Sequence, residues 1–158
     1  MVTNHEVQAS LVHVGMTVSD LSASVQFWKD FLGIEPLWTR VFDDEYLGGV
    51  TGYPGVSLDA AILELPDGTM LELLQYRNVQ GSQIDMETAN PGNVHIAIRV
   101  DDIDSAWDRI VAAGGTPRSP TPTLVTSGPN KGARAGYVRD LDGISLELFQ
   151  SPPVAKEQ

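Results

Sequence analysis

The stretch from His13 to Gly33, HVGMTVSDLSASVQFWKDFLG, has a second copy in this chain. That copy, HIAIRVDDIDSAWDRIVAAGG, runs from His95 to Gly115, and the two align without a gap at an offset of 82 residues (95 minus 13). Each copy begins with a histidine, alternates apolar and polar residues, continues with helical spacing and ends at a glycine. A repeat of this kind predicts two copies of one structural unit.

A shorter phrase also recurs later in each unit. PDGTMLELLQY, from Pro66 to Tyr76, aligns with LDGISLELFQS, from Leu141 to Ser151, at an offset of 75 (147 minus 72). The second unit is therefore seven residues shorter between the two phrases (82 minus 75). Both phrases place Asp-Gly, a strong hairpin signal, before a strand that carries a glutamate between two leucines.

The residue pattern predicts an α+β fold in which each unit is a strand, a helix and three further strands. Val12, Val14, Met16 and Val18 alternate along the first strand, and Leu21, Val25, Trp28 and Leu32 form a helical stripe. Cap residues begin the helices at Ser19-Asp20 and Asp101-Asp102. The later strands are expected at about 36–42, 57–65 and 69–76, and at about 117–126, 133–140 and 144–150. One domain, 1–158, would hold module 1 (about 10–76), a polar linker (about 77–92) and module 2 (about 93–151).

Composition excludes several classes of function. The formal net charge is -11, which disfavours binding to nucleic acid or to an anionic membrane. The chain has no cysteine, so any metal must be held by nitrogen and oxygen ligands. No secretory signal or membrane-spanning run is recognisable, and the expected location is the cytoplasm.

Two glutamates in apolar strands need compensation for their charge. On the alternation of the strands, Glu72 and Glu147 point away from the helix-packing face, as do His13 and His95 at the starts of the two units. If the first and last strands of a unit are neighbours in one curled sheet, the histidine and glutamate converge. Two imidazoles and two carboxylates suit one divalent Zn, Ni, Co, Mn or Fe ion.

Single residues of these types have ordinary structural explanations. A lone strand histidine is usually a hydrogen-bonded structural residue, and a lone strand glutamate usually reaches solvent at an edge. A histidine and a glutamate at matching places in both copies favour the metal site. His5 has no counterpart in the second unit and is not included.

At these residues the chain resembles the vicinal oxygen chelate superfamily, which includes glyoxalase I, methylmalonyl-CoA epimerase, extradiol dioxygenases and fosfomycin and bleomycin resistance proteins. The phrases that carry the resemblance are HVGMTVSDLSASVQFWKDFLG, LELLQY, NVHIAIRVDDIDSA and RDLDGISLELFQ. It implies paired βαβββ modules around a metal, with His13, Glu72, His95 and Glu147 as ligands. In the isomerase and epimerase branches a carboxylate at the metal also moves the substrate proton, and Glu147 and Glu72 are the candidates.

The number of ligands helps to choose among the reactions. Four protein ligands on a six-coordinate metal leave two positions, whereas a ring-cleaving dioxygenase generally has two histidines and one carboxylate. The preferred function is an epimerase or isomerase that moves an α-proton of a small oxygenated carbonyl substrate through a metal-stabilised enediolate. The alternatives are a glyoxalase I-type lyase, a non-catalytic binding or resistance protein, and an extradiol dioxygenase. Deuterium wash-in separates proton transfer from binding, and oxygen consumption identifies a dioxygenase.

Five further residues are candidate substrate contacts. Arg99 lies on the same strand face as His95; Lys131 and Arg134 belong to the glycine-rich stretch Thr126–Gly136; Tyr46 and Tyr53 belong to a long insertion, Asp43–Val56. Each has a simpler explanation, either an exposed loop or an ion pair with an acidic neighbour. The expected partners are a small-molecule substrate and a second copy of the chain, and the sequence leaves open whether a site forms within one chain or across a homodimer.

Overall fold

The structure is a computed structural model that describes residues 7–153; His5 lies outside them. The elements, in chain order, are β1 (Val14–Thr17), α1 (Leu21–Leu32), β2 (Pro36–Phe42), α2 (Tyr46–Thr51), β3 (Leu58–Glu64), β4 (Met70–Tyr76), β5 (His95–Arg99), α3 (Ile103–Ala112), β6 (Thr116–Pro117), β7 (Thr123–Leu124), β8 (Arg134–Arg139) and β9 (Ser145–Gln150).

The predicted repeat is present as two mixed sheets. The first has the strand order β1-β4-β3-β2, and the second has the order β5-β9-β8-β6, with β7 paired to β8. In each sheet the first strand of the module lies parallel to the last, and the other pairings are antiparallel. The fold class is therefore confirmed, although the described residues form two separate sheets and do not close into one.

The helices join the two modules into a single core. Helices α1 and α3 pack on each other, and the buried residues Phe31, Trp28, Ile103 and Ile110 belong to one apolar cluster with the leucines of β4 and β9. The buried face of helix α1 is displaced from the predicted stripe. Phe27 and Phe31 are buried, whereas Val25 and Leu32 are only partly buried. We call the sheet face that lies away from α1 and α3 the open face.

Cap chemistry begins both long helices as predicted. The Asp20 side chain accepts a hydrogen bond from the Ala23 amide, and Asp102 accepts hydrogen bonds from the amides of Asp104 and Ser105. Helix α1 ends at Gly33, whose φ of 75° is in the left-handed region. The strand-to-helix turns that follow β1 and β5 are thus fixed locally.

Three parts of the chain differ from the prediction. The expected strand 117–126 is two short strands, because prolines at 117, 120 and 122 lack the amide hydrogens that a continuous ladder needs. The insertion 43–56 contains helix α2, which was not predicted. Val12 precedes β1 and is 75% exposed rather than packed with Met16 and Val18.

Candidate functional site

The first half of the candidate site lies on the open face of the first sheet. In β4, Leu71 and Leu73 are fully buried toward the helices, so alternation directs Glu72 to the open face, where its side chain is 22% exposed. His13 immediately precedes β1, and its Nε2 atom lies 3.2 Å from Oε2 of Glu72. Gly15 is the β1 residue level with Glu72, and the missing side chain leaves that position open.

The second half repeats this arrangement. His95 begins β5, Glu147 lies in β9 beside it, and His95 Nε2 is 3.1 Å from Glu147 Oε2. Leu146 and Leu148 are fully buried on the other face of β9. The chain therefore brings together each predicted histidine with the glutamate of its own module.

The donor atoms of each pair suit two ligands on one cation. Metal–nitrogen and metal–oxygen bonds to a small divalent ion are about 2.1 Å long, so two ligands at a right angle are about 3 Å apart. Both observed separations are close to that value. An imidazole with its hydrogen on Nε2 can instead donate a hydrogen bond to the carboxylate at the same distance, and both interpretations place the two side chains next to each other.

The two pairs remain apart within one chain. The part of the chain that the structure describes contains no group of three or more His, Asp or Glu side chains placed to hold a metal. Each module thus brings together two of the four side chains that the sequence predicts as ligands.

Sequence reasoning missed Tyr137. This residue of β8 is directly opposite Glu147 of β9, and its ring meets the His95 ring edge-to-face at a centroid distance of 5.2 Å. Burial first, and then the charge and hydrogen bonding of the Glu147 carboxylate, raise the pKa of Tyr137, so the phenol stays neutral. The repeat could have identified Tyr137 from the sequence. At the offset of 75 it aligns with Ile62, and each of these two residues is opposite the glutamate of its module.

The candidate substrate cations lie in different surroundings. Arg99 is exposed and level with Phe149 of β9, on the same face as Glu147. Arg134 makes a two-pronged ion pair with Asp104 of helix α3, and Lys131 lies in the exposed turn before β8. A role for Arg134 in substrate binding stays a prediction that requires this ion pair to open.

The insertion 43–56 packs near the open face of the first sheet. Leu47 and Val56 are buried, together with Leu58, Ala60 and Ile62 on that face of β3, and none of them belongs to the main core. Tyr53 meets Tyr76 of β4 edge-to-face at 5.9 Å, whereas Tyr46 is 58% exposed. The insertion thus meets the open face at Tyr76, and the contacts of Tyr46 and Tyr53 with substrate stay predictions.

A groove of about 1000 Å³ runs along β1 and the linker. Its lining includes Gly15 and Thr17 of β1, Val94, and Leu141 in the β8–β9 turn. Among residues 7–153, no helix combines the length and apolar character needed to cross a membrane.

Comparison with known proteins gives a consistent result. Residues 10–148 match the family model described as Glyoxalase/Bleomycin resistance protein/Dioxygenase superfamily. The chain is 32% identical to a 2-epi-5-epi-valiolone epimerase from Actinomyces sp, over 89% of this chain and 78% of that protein. It is also 32% identical to a probable lactoylglutathione lyase from Vibrio parahaemolyticus, over 89% of this chain and 90% of that one.

Solved structures show the same fold. A glyoxalase family protein from Bacillus cereus superposes with a TM-score of 0.81 at 20% identity, covering 94% of this chain and 98% of that one. Glyoxalase I from Zea mays superposes with a TM-score of 0.66 at 23% identity, covering 89% of this chain and 44% of that longer chain.

Proposed function

This chain belongs to the Glyoxalase/Bleomycin resistance protein/Dioxygenase superfamily, and we infer that it is a metal-dependent epimerase or isomerase acting on a small oxygenated carbonyl compound. Its relatives include an epimerase and several lyases, and the chain is an enzyme of this isomerase or lyase type. The observation that carries the proposal is the repeated His–Glu pair, at 3.2 Å in the first module and 3.1 Å in the second.

One divalent cation per complete site would be held by His13, Glu72, His95 and Glu147. When bound, such a cation acts as a Lewis acid that polarises the carbonyl oxygen of the substrate. The Glu72 and Glu147 side chains are 22% and 21% exposed on the open face, where a bound molecule would meet them. One glutamate would remove the α-proton, and one would return it to the opposite face of the same carbon or to the neighbouring carbon.

The complete site in this proposal is shared between two copies of the chain. Because the two pairs are apart within one chain, the proposed four-ligand set takes His13 and Glu72 from one copy and His95 and Glu147 from the other. Strand β1 follows His13 and strand β5 begins at His95, and among the described residues each is at the edge of its sheet with one side unpaired. Val12 and Val94, each just before its histidine, are 75% and 69% exposed and would be covered by this contact.

Metal content is the first test of the proposal. Protein purified without a metal-affinity tag should contain close to one Zn, Ni, Co, Mn or Fe ion per chain by elemental analysis. Glu72→Gln and Glu147→Gln should each lower that content, because an amide is a weaker ligand for such ions than a carboxylate. Wild-type protein that takes up no divalent ion on incubation would contradict the metal-dependent function.

Mixing the two variants tests the shared site. In a mixed dimer of Glu72→Gln and Glu147→Gln chains, one of the two sites would carry both substitutions and the other would be intact. Random exchange of subunits should restore about a quarter of the wild-type sites, by the statistics of a symmetric dimer. No recovery of metal binding or activity in a mixture that has exchanged subunits would show that each site forms within one chain.

Proton transfer is tested by exchange with solvent. Incubation of small α-hydroxy carbonyl compounds in deuterium oxide should place deuterium at the α-carbon only when the enzyme is intact. Glu72→Gln and Glu147→Gln should each slow the exchange by roughly 10²-fold or more, the usual contribution of a general acid or base. Oxygen consumption without exchange would favour a dioxygenase, and binding without either would favour a sequestering protein.

A glyoxalase I-type lyase is the second candidate, because several relatives with identities of 27–32% have the name lactoylglutathione lyase. The same four ligands and the same proton transfer would serve this reaction. Formation or cleavage of lactoylglutathione by the metal-loaded enzyme would favour the lyase over the epimerase.

A further inference from the structure

The two half-sites differ in the residue that faces the glutamate across the sheet. In the antiparallel pairing of β3 and β4, Ile62 is opposite Glu72, and in that of β8 and β9, Tyr137 is opposite Glu147. Residues directly opposite each other in antiparallel strands project from the same face and touch. Glu147 therefore has a tyrosine beside it at the position where Glu72 has a hydrocarbon side chain.

Tyr137 contacts both members of the second pair. Its ring plane is at 85° to the His95 imidazole, with centroids 5.2 Å apart, which is an edge-to-face contact that limits rotation of the imidazole. It is also directly opposite Glu147 in the register of β8 and β9, so the two side chains lie against each other. One side chain thus lies against both residues that would bind the cation.

We propose that Tyr137 is a positioning residue that holds His95 with its ring and Glu147 with a hydrogen bond from its hydroxyl group, whereas the residue opposite Glu72 is Ile62, which has no hydroxyl group. This inference rests on the proposed function and goes beyond it by making the two half-sites unequal. Residues that orient metal ligands through hydrogen bonds contribute strongly to metal affinity, and their loss typically costs 10- to 100-fold. The side chains of His95 and Glu147 would then be better ordered before metal binding than those of His13 and Glu72.

Metal affinity of the purified enzyme tests this role. Tyr137→Phe removes the hydroxyl and keeps the ring, and its dissociation constant for Zn²⁺ or Co²⁺, measured by competition with a chelator, should rise about 10-fold. Tyr137→Leu also removes the ring contact and should weaken binding further. Ile62→Val is the matched control, since it trims the equivalent residue of the first module by one methyl group, and it should leave the metal affinity unchanged.

The cobalt-loaded enzyme provides a spectroscopic test. A merely structural role for Tyr137 would leave the visible absorption of bound Co²⁺ unchanged, whereas displacement of a ligand alters the band positions and intensities. We expect Tyr137→Phe to change this spectrum and Ile62→Val to leave it as in the wild type. Unchanged affinity and an unchanged cobalt spectrum in Tyr137→Phe would overturn the inference while leaving the proposed function intact.

A metal-free measurement covers the ring contact. In proton NMR of the chelator-treated enzyme, Tyr137→Leu should move the ring resonances of His95 and leave those of His13 in place. Unchanged chemical shifts of the His95 ring protons in a folded Tyr137→Leu variant would contradict the ring contact on which the inference depends. Failure of the wild type itself to bind a metal would instead contradict the proposed function, so the two failures are distinguishable.

Discussion

Module 1 and module 2 share the features that build the backbone and differ in the side chains around their glutamates. Asp20 and Asp102 cap equivalent helices, and each module holds one histidine about 3 Å from one glutamate. Across the open face, however, Glu72 lies in a row with Ile62 and Trp38, whereas Glu147 lies beside Tyr137. The repeated geometry therefore offers equivalent glutamates two different chemical surroundings, one apolar and one polar.

The buried faces have diverged as well, but in a compensated way. At the positions where module 1 has Val25 and Ala61, module 2 has Trp107 and Gly136 by the offsets of 82 and 75. A Cβ added at Gly136 would lie 2.6 and 2.9 Å from two atoms of the Trp107 ring. A larger helix residue is thus accommodated by a smaller strand residue, which preserves the spacing between helix and sheet.

The largest expected effect comes from removing this compensation. Gly136→Ala should lower the free energy of unfolding by about 3 kcal/mol, because the new methyl group overlaps a buried ring. Urea denaturation measures the change. Trp107→Phe, which lacks the crowding ring atoms, should restore part of the loss in the double variant, with a coupling of about 1 kcal/mol or more. Gly49→Ala is the control, since nothing lies within 4 Å of its added Cβ; additive losses would refute the compensation.

A second difference lies in the Asp-Gly turns. In module 1 Asp67 accepts the Thr69 amide, but in module 2 the buried Asp140 accepts the amides of Asp142 and Ile144. Asp142 is then available to accept the Ser19 amide of module 1. Asp140 aligns with Leu65, so one module has an apolar residue where the other has a carboxyl group that links its turn.

This carboxyl group predicts a pH dependence of stability that module 1 does not share. Burial raises the pKa of Asp140 from 3.8 to about 6, against the opposing effect of its backbone hydrogen bonds. Between about pH 4 and pH 6 the folded chain keeps a proton that the unfolded chain releases, so this contribution to stability falls as the pH rises and is lost above about 6. The fall amounts to about 3 kcal/mol at most, at 1.36 kcal/mol per pKa unit.

Asp140→Asn isolates that contribution. The amide oxygen can accept the same two hydrogen bonds and does not ionise, so the variant should lack the fall between about pH 4 and pH 6. Urea midpoints of wild type and variant across this interval measure the difference between them. Parallel curves for the two proteins would contradict the burial effect, and a variant that becomes less stable than the wild type only as the pH rises would show that the charge itself stabilises the turn.

Much of the fold could be predicted because the repeat aligned each uncertain segment with a clearer one. The pairing of each histidine with its glutamate followed from strand alternation and from the neighbouring positions of first and last strands. Helix α2 could not be predicted, because its sequence YLGGVT contains two glycines and buries one residue, Leu47, which is too few to show a helical period. The separation of the two half-sites could not be predicted from the sequence either. It depends on how the modules pack through α1 and α3 and not on a local sequence pattern.

The smallest expected effect tests what the modules have in common. Gln75 accepts the Leu21 amide and donates to the Ser19 carbonyl, and Gln150 accepts the Ile103 amide and donates to the Asp101 carbonyl. Each glutamine thus ties the last strand of its module to the turn between first strand and helix. Gln75→Ala and Gln150→Ala should each lower the free energy of unfolding by about 1–2 kcal/mol, for two hydrogen bonds.

The two glutamine variants should have the same free energy of unfolding within the error of urea denaturation, because the two glutamines make equivalent hydrogen bonds. The accepted hydrogen bond is longer for Gln150, at 3.3 Å against 2.9 Å, so any difference should make Gln75→Ala the costlier change. Because these turns place His13 and His95 beside their glutamates only indirectly, metal content should stay near that of the wild type in both variants. A loss of metal in one of them would mean that the hydrogen bonds common to both modules also affect the two half-sites differently. It would contradict the interpretation that the half-sites differ only in the side chains of the open face.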